Sequence, residues 1–367
     1  MIVQTKPNGH YHWLDLLRFI AAFMVLFSHS RNDFFLSWNE LPADQHNVFS
    51  FIFYTLGRLG HEAVVVFFVL SGFLVGGRGL ERVGNKSFDV KSYAIDRFSR
   101  IYPPLLTAMG LYYVTCLVIP TESWNWSTAI GNLFNLQGIC CEPLVGPFWS
   151  LSLEVWFYVI LAFIGILAAT KNSSIKVIGI TLITASCSLF VLGFDMHYLL
   201  IWFMGAVAYL YRPQKKLNFV LIGSIIGIIL FIGLWQVSVD SNSINFPLKL
   251  QHTRFIEIGL SLMMCLFVQQ VILFEPKGNI SMFIESKIGK LACFSYTLYL
   301  SHRIILMWIF FFYPYKHQGT MTLIDITIYC WCICLTMFFS WMFYLVSEKH
   351  SPYLKLTLKK KIVRISK

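Results

Sequence analysis

The run Trp13 to Ser30, W-L-D-L-L-R-F-I-A-A-F-M-V-L-F-S-H-S, is long and apolar enough to enter a bilayer, yet it carries Asp15, Arg18 and His29. A charge near the centre of a membrane helix costs about 2.5 to 3.5 kcal/mol on insertion scales, so such residues face a bundle interior or a wet cavity rather than lipid. At roughly 100° per residue, the steps from Arg18 to His29 bring both side chains back to nearly one azimuth, about 16 Å apart along the axis. Asp15, Ala22 and Val25 share that face. The run is therefore read as a spanning helix that forms one wall of a polar site.

Composition extends this reading to the whole chain. Hydrophobic residues make up 57% and charged residues 13%, against about 25% charged in a soluble domain, and mean hydropathy is +0.65. The fold class is an all-α polytopic transmembrane bundle. At about 20 apolar residues per crossing, candidate spans fall near 13–30, 61–77, 101–119, 148–169, 177–194, 198–211, 217–237, 254–274, 291–313 and 323–345. The sixth is the shortest.

Basic residues orient these spans. With the N-terminus in the cytosol, the inner segments hold Lys6; Arg78, Arg82, Lys86, Lys91, Arg97 and Arg100; Lys171 and Lys176; Arg212, Lys215 and Lys216; Lys277, Lys287 and Lys290; and seven more after Glu348. The outer segments hold Arg31, Arg58, Lys249, Arg254 and Lys316, so 22 against 5 favours ten spans with both termini cytosolic. No polar stretch is long enough for a second globular domain. Residues 1–350 are read as one membrane domain and 351–367 as a basic cytosolic tail at the headgroups.

Several function classes are set aside. The opening M-I-V-Q-T-K-P-N-G-H-Y-H lacks the pattern of a cleaved signal, so the first helix is expected to stay in place. The nine cysteines show neither metal spacing nor a disulfide framework, and no metal is expected. The net charge of +11 comes from residues between and after the spans, where it sets orientation and meets membrane lipids; no nucleic-acid partner is expected.

Four further motifs carry polar residues into or beside the spans. F-F-V-L-S-G-F-L-V-G places Gly72 and Gly76 where another helix can approach closely. Ser71 beside them is read as a packing or support serine, since no base is adjacent in sequence. R-F-S-R-I-Y-P-P puts Arg97 and Arg100 on one helical face just before Pro103 and Pro104, which are expected to begin the third span. Topology and a fork for an anionic ligand such as phosphate both fit that pair. In W-S-L-S-L-E-V-W-F-Y, Ser150, Glu154 and Tyr158 form a polar stripe. Glu154 is placed in the outer half of its helix at the depth of His29, which makes the two a base and orienter pair if their helices touch. S-Y-T-L-Y-L-S-H-R sets Ser295, Tyr299 and His302 on one face with Arg303 alongside.

Taken in order, these stretches resemble the acyltransferase 3 family of integral membrane O-acyltransferases. The resemblance rests on Arg18 and His29, F-F-V-L-S-G-F from Phe67 to Phe73, Arg97 and Arg100 followed by Ile-Tyr-Pro, W-S-L-S-L-E from Trp149 to Glu154, and S-Y-T-L-Y-L-S-H from Ser295 to His302. The chain departs from the family pattern at three places. Val65 stands where many members carry an acid, with Glu62 as a nearby substitute; Val155 replaces a common second acid; and Arg303-Ile304 replaces an aromatic-proline pair.

The resemblance implies an O-acyltransferase, most simply an O-acetyltransferase, of the bacterial cytoplasmic (inner) membrane. Its donor would be cytosolic acyl-CoA such as acetyl-CoA, a co-substrate rather than a bound cofactor, and its acceptor a hydroxyl of a cell-surface or lipid-linked saccharide. In that scheme Arg97 and Arg100 grip donor phosphates and Arg18 guides the thioester. His29 is the base, Glu154 its orienter, and His302 assists, while Ser71, Tyr299 and Ser150 serve as acceptor or support residues. An ion-coupled secondary transporter or flippase is the alternative, because intramembrane Arg, His and Glu suit transport as well.

Overall fold

The computed structural model describes residues 11–193, 195–239, 253–274, 287, 289, 291–313 and 320–365. Ten apolar helices carry the fold: α1 His12–Phe34, α2 Gly60–Gly84, α3 Val90–Val118, α4 Phe148–Ala169, α5 Ser173–Leu192, α6 Met196–Leu210, α7 Asn218–Val239, α8 Thr253–Val271, α9 Ser295–Phe312 and α10 Leu323–Val346. Among the described residues, eight helices are long and apolar enough to cross a membrane, and α6, at 15 residues, is the shortest of the ten. The chain is a multi-pass membrane protein built from helices, as its composition requires. The opening Met1 to His10, and Lys249, Lys277, Lys290, Lys316 and Lys367 of the charge reading, lie outside the described residues.

The core forms where α1, α2, α4, α6 and α9 meet, around Leu14, Val65, Phe73, Phe148, Phe157, Trp202 and Leu300. Its closest approach is made by small residues. A Cβ on Gly72 would lie 2.0 Å from the Trp202 carbonyl oxygen, and one on Gly205 would lie 2.4 Å from that of Val69. The glycines read as a packing face from their spacing thus let the α2 and α6 backbones touch. Just after Ser71, α2 widens into a π-helical stretch over Gly72–Gly77 before resuming at Arg78. Such insertions recur at functional sites because they re-aim the side chains beside them.

Two details depart from the sequence expectations. Pro103 and Pro104 do not begin the third helix. They lie inside α3, which starts at Val90 with the Asp89 side chain accepting hydrogen bonds from the amides of Lys91 and Ser92 at 3.1 and 3.3 Å. Membrane helices absorb proline when neighbouring groups make up for the missing amides. Arg97 and Arg100 consequently project from a continuous helix instead of a loop. The tail also differs: Ser351–Ile365 is a helix packed along α3, and so has a protein contact as well as any headgroup one.

At the end of the bundle away from the tail, buried ionic groups bind helices together. Glu257 on α8 accepts from His197 Nε2 on α6 at 2.8 Å and lies 3.3 Å from His61 Nε2 on α2. Glu62, proposed from sequence to stand in for an acid at Val65, instead accepts from Gln236 of α7 at 3.1 Å, while Val65 is fully buried in the core. Glu62 faces this helix junction and lines neither of the cavities described below. Arg303 pairs with Asp33, tying α9 to α1 one turn beyond His29.

Candidate active site

Two chambers open inward from the end of the bundle that carries the tail helix. The outer one, about 480 Å³, is lined by Asp15, Arg18, Arg97 and Arg100 together with the start of the tail. The inner one, about 340 Å³, shares those four residues and adds Ser71, Ser150, Glu154, Tyr158, Tyr296 and Tyr299 among others. Each volume lies in the range of pockets that hold small ligands. Helical spacing explains the convergence: α1 contributes Asp15 and Arg18 one turn apart, and α3 contributes Arg97 and Arg100 in the same way.

The inner wall is a fixed hydrogen-bond network. Ser71 Oγ donates to Glu154 at 3.2 Å, lies 3.1 Å from the Tyr158 hydroxyl, and accepts from Trp202 Nε1 at 3.1 Å. The Tyr158 hydroxyl donates to the same Glu154 oxygen. Ser71 of α2 and Tyr158 of α4 thus hold the Glu154 carboxylate directly, with Trp202 of α6 bracing Ser71. Sequence reading missed this, because the carboxylate partner of Ser71 lies far along the chain and Trp202 belongs to no recognised motif. Charge-assisted bonds of this kind are the stronger ones and are worth most in a dry interior.

One of the arginines above the network, Arg97, leaves a donor free. Arg18 pairs with Asp15 at 3.3 Å. Arg97 lies over the Tyr93 and Tyr158 rings, at 5.9 and 5.3 Å from their centroids, and its Nε has no hydrogen-bond partner among the described residues. The Tyr296 hydroxyl on the same cavity lining is also buried and without a partner among the described residues. Buried polar groups are normally satisfied, so these two groups in one cavity are available to water or to a polar ligand. Arg78 is a further basic residue on the cavity wall, over the Tyr11 ring at 5.7 Å.

Beyond the inner chamber lies a histidine pair. Tyr299 closes the chamber, with its hydroxyl 2.6 Å from Ser150 Oγ and donating to the Pro147 carbonyl at 3.2 Å. One turn further along α9, His302 has no exposed surface, and its ring centroid is 6.1 Å from that of Tyr299 and 5.3 Å from that of His29. His302 Nδ1 contacts the carbonyl oxygens of Leu298 and Tyr299 at 3.1 and 2.8 Å. A carbonyl only accepts, so Nδ1 carries the proton and Nε2 presents a lone pair. That Nε2 has no partner among the described residues. His29 is the half-buried member of the pair.

The expected pairing of His29 with Glu154 is corrected by this geometry. Glu154 shares its cavity with Asp15 and Arg18 at the other end of α1, about 16 Å along the helix axis from His29. Its hydrogen bonds go to Ser71 and Tyr158. His29 instead meets His302, because α1 packs against α9 and is held there by Asp33 and Arg303.

Comparison with known proteins decides what this cleft belongs to. The acyltransferase domain of the acyltransferase 3 family matches residues 11–345. The chain belongs to that family. It is 32% identical over 128 residues to an uncharacterized protein of Haemophilus influenzae, a match covering 31% of this chain and 52% of that protein. It is 34% identical over 179 residues to nodulation protein 10 of Rhizobium leguminosarum bv. viciae, covering 42% of this chain and 44% of that protein. The chain thus matches about half the length of these curated relatives. No solved structure matches it.

This acyltransferase 3 protein is a multi-pass membrane member of that family. Its matched residues include α1 to α9, and with them both chambers' arginines, the Glu154 network and the histidine pair. Val346, the last residue of α10, and the tail helix lie beyond the match.

Proposed function

We propose that the protein transfers an acyl group, acetyl as the simplest case, from acyl-CoA to a hydroxyl of a cell-surface or lipid-linked saccharide. One observation carries this reading. A basic cleft runs from the tail end of the bundle to Tyr299, and the unpartnered nitrogen of His302 lies on the other side of that residue. A phosphate-bearing thioester is the donor such a cleft suits, with guanidiniums at its mouth and a narrow polar chamber for its arm. Arg97, Arg100 and Arg18 take the anionic part, and Glu154 with Ser71 and Tyr158 shapes the chamber for the pantetheine amides.

The acceptor hydroxyl comes to the histidine pair. Its oxygen attacks the thioester carbonyl, its proton passes to His29 backed by His302, the C–S bond breaks, and the released thiolate takes up a proton as CoA leaves. No acyl-enzyme is required. Ten crossings with both termini on the cytosolic side of a bacterial inner membrane fit the basic-residue bias. Acyl-CoA is made in the cytosol, where this arrangement puts the arginines.

Kinetics test the donor assignment. Lysine keeps the charge of Arg97 or Arg100 but loses the planar fork, so Arg97→Lys and Arg100→Lys are expected to raise the apparent KM for acetyl-CoA by about ten-fold each, with kcat little changed. Unchanged KM values in both variants would return these arginines to a purely topological role.

A further inference from the structure

The residues after the family match close the donor cleft from outside. Glu348 tucks under α9, accepting from the Thr297 amide at 3.2 Å and the Thr297 hydroxyl at 2.9 Å, within electrostatic reach of Arg18 and Arg100. The tail helix then runs along α3, where Lys355 Nζ and Lys359 Nζ each lie 3.1 Å from the same oxygen of Asp96. Glu348, Lys349 and Lys355 line the outer chamber together with Arg18, Arg97 and Arg100.

We propose that this C-terminal segment is the outer half of the donor site, with Lys355 and Lys359 taking phosphate groups at the nucleotide end of acyl-CoA and Glu348 shielding the arginines until donor arrives. The proposal rests on the acyl-CoA reading above. Charge supports it. One carboxylate oxygen serves two ammonium groups on Asp96, so the pair is under-neutralised and ready for a stronger anion. The two lysines are four residues apart and share a helical face. Headgroup contact alone does not explain that face, because Lys355 and Lys359, though 41% and 35% exposed, both turn toward Asp96, while Lys360 and Lys361 of the same helix are exposed.

The test compares two donors on the full chain: acetyl-CoA, and acetyl-pantetheine, which has the same thioester and no nucleotide phosphates. In Lys355→Ala/Lys359→Ala, the KM for acetyl-CoA is expected to rise about ten-fold, as for loss of a charge-assisted contact. Turnover of acetyl-pantetheine should match wild type, which also shows that the variant is folded. Lys360→Ala/Lys361→Ala should shift neither donor. Equal shifts for both donors, or none for acetyl-CoA, would overturn the proposal. Wild-type protein that turns over acetyl-pantetheine but draws no advantage from acetyl-CoA would overturn the donor reading itself.

Discussion

His302→Asn is expected to lower acyl transfer by about 10² to 10⁴-fold, the range that general acid-base groups contribute, while KM for acyl-CoA stays nearly unchanged. Asparagine can still donate an amide hydrogen to the backbone carbonyls that hold Nδ1 of His302, so the turn of α9 is kept. What it lacks is the basic nitrogen. His29→Ala is expected to lose activity on the same scale, because its ring is the more accessible member of a pair whose centroids are 5.3 Å apart. The double variant should be little worse than either single one, as for residues acting as a unit. The check is kcat and KM for donor in all three proteins.

Glu154 gives the second large effect and behaves differently in combination. Glu154→Gln leaves an amide where Ser71 and Tyr158 both donate to a carboxylate. Losing hydrogen bonds to a charged group costs about 1.5 to 3 kcal/mol, so a drop in kcat/KM of roughly ten-fold to a hundred-fold is expected. Because Glu154 lies in the donor chamber and not beside His29, its loss should multiply with that of His302→Asn. Sub-multiplicative losses would mean that Glu154 and the histidines cooperate after all.

These two expectations divide along the line where sequence reading stops. Periodicity alone places Arg18, His29, Ala22 and Val25 on one face of α1, and Ala22 and Val25 are indeed buried there. The same is true of Ser150, Glu154 and Tyr158, whose stripe becomes a bonded pair plus a contact to Tyr299. The close glycine packing of α2 is legible from Gly72 and Gly76 because backbone contact needs a missing Cβ. Azimuth within a helix, however, does not name the neighbouring helix. Depth matches Glu154 with His29, yet packing brings His29 to α9 and Glu154 to Ser71 of α2. Nor does local sequence reveal that Asp96 waits for Lys355 and Lys359, residues more than 250 positions away.

The sidedness of the reaction tests the central claim most directly. Membrane vesicles from cells expressing the protein can be prepared with either face outward and given acetyl-CoA carrying a labelled acetyl group. The arginine cleft on the face of the tail helix predicts label in alkali-labile ester on the glycan fraction of inside-out vesicles, abolished by His302→Asn, and none in right-side-out vesicles. Labelling of right-side-out vesicles alone, or labelling of inside-out vesicles that survives His302→Asn, would contradict it.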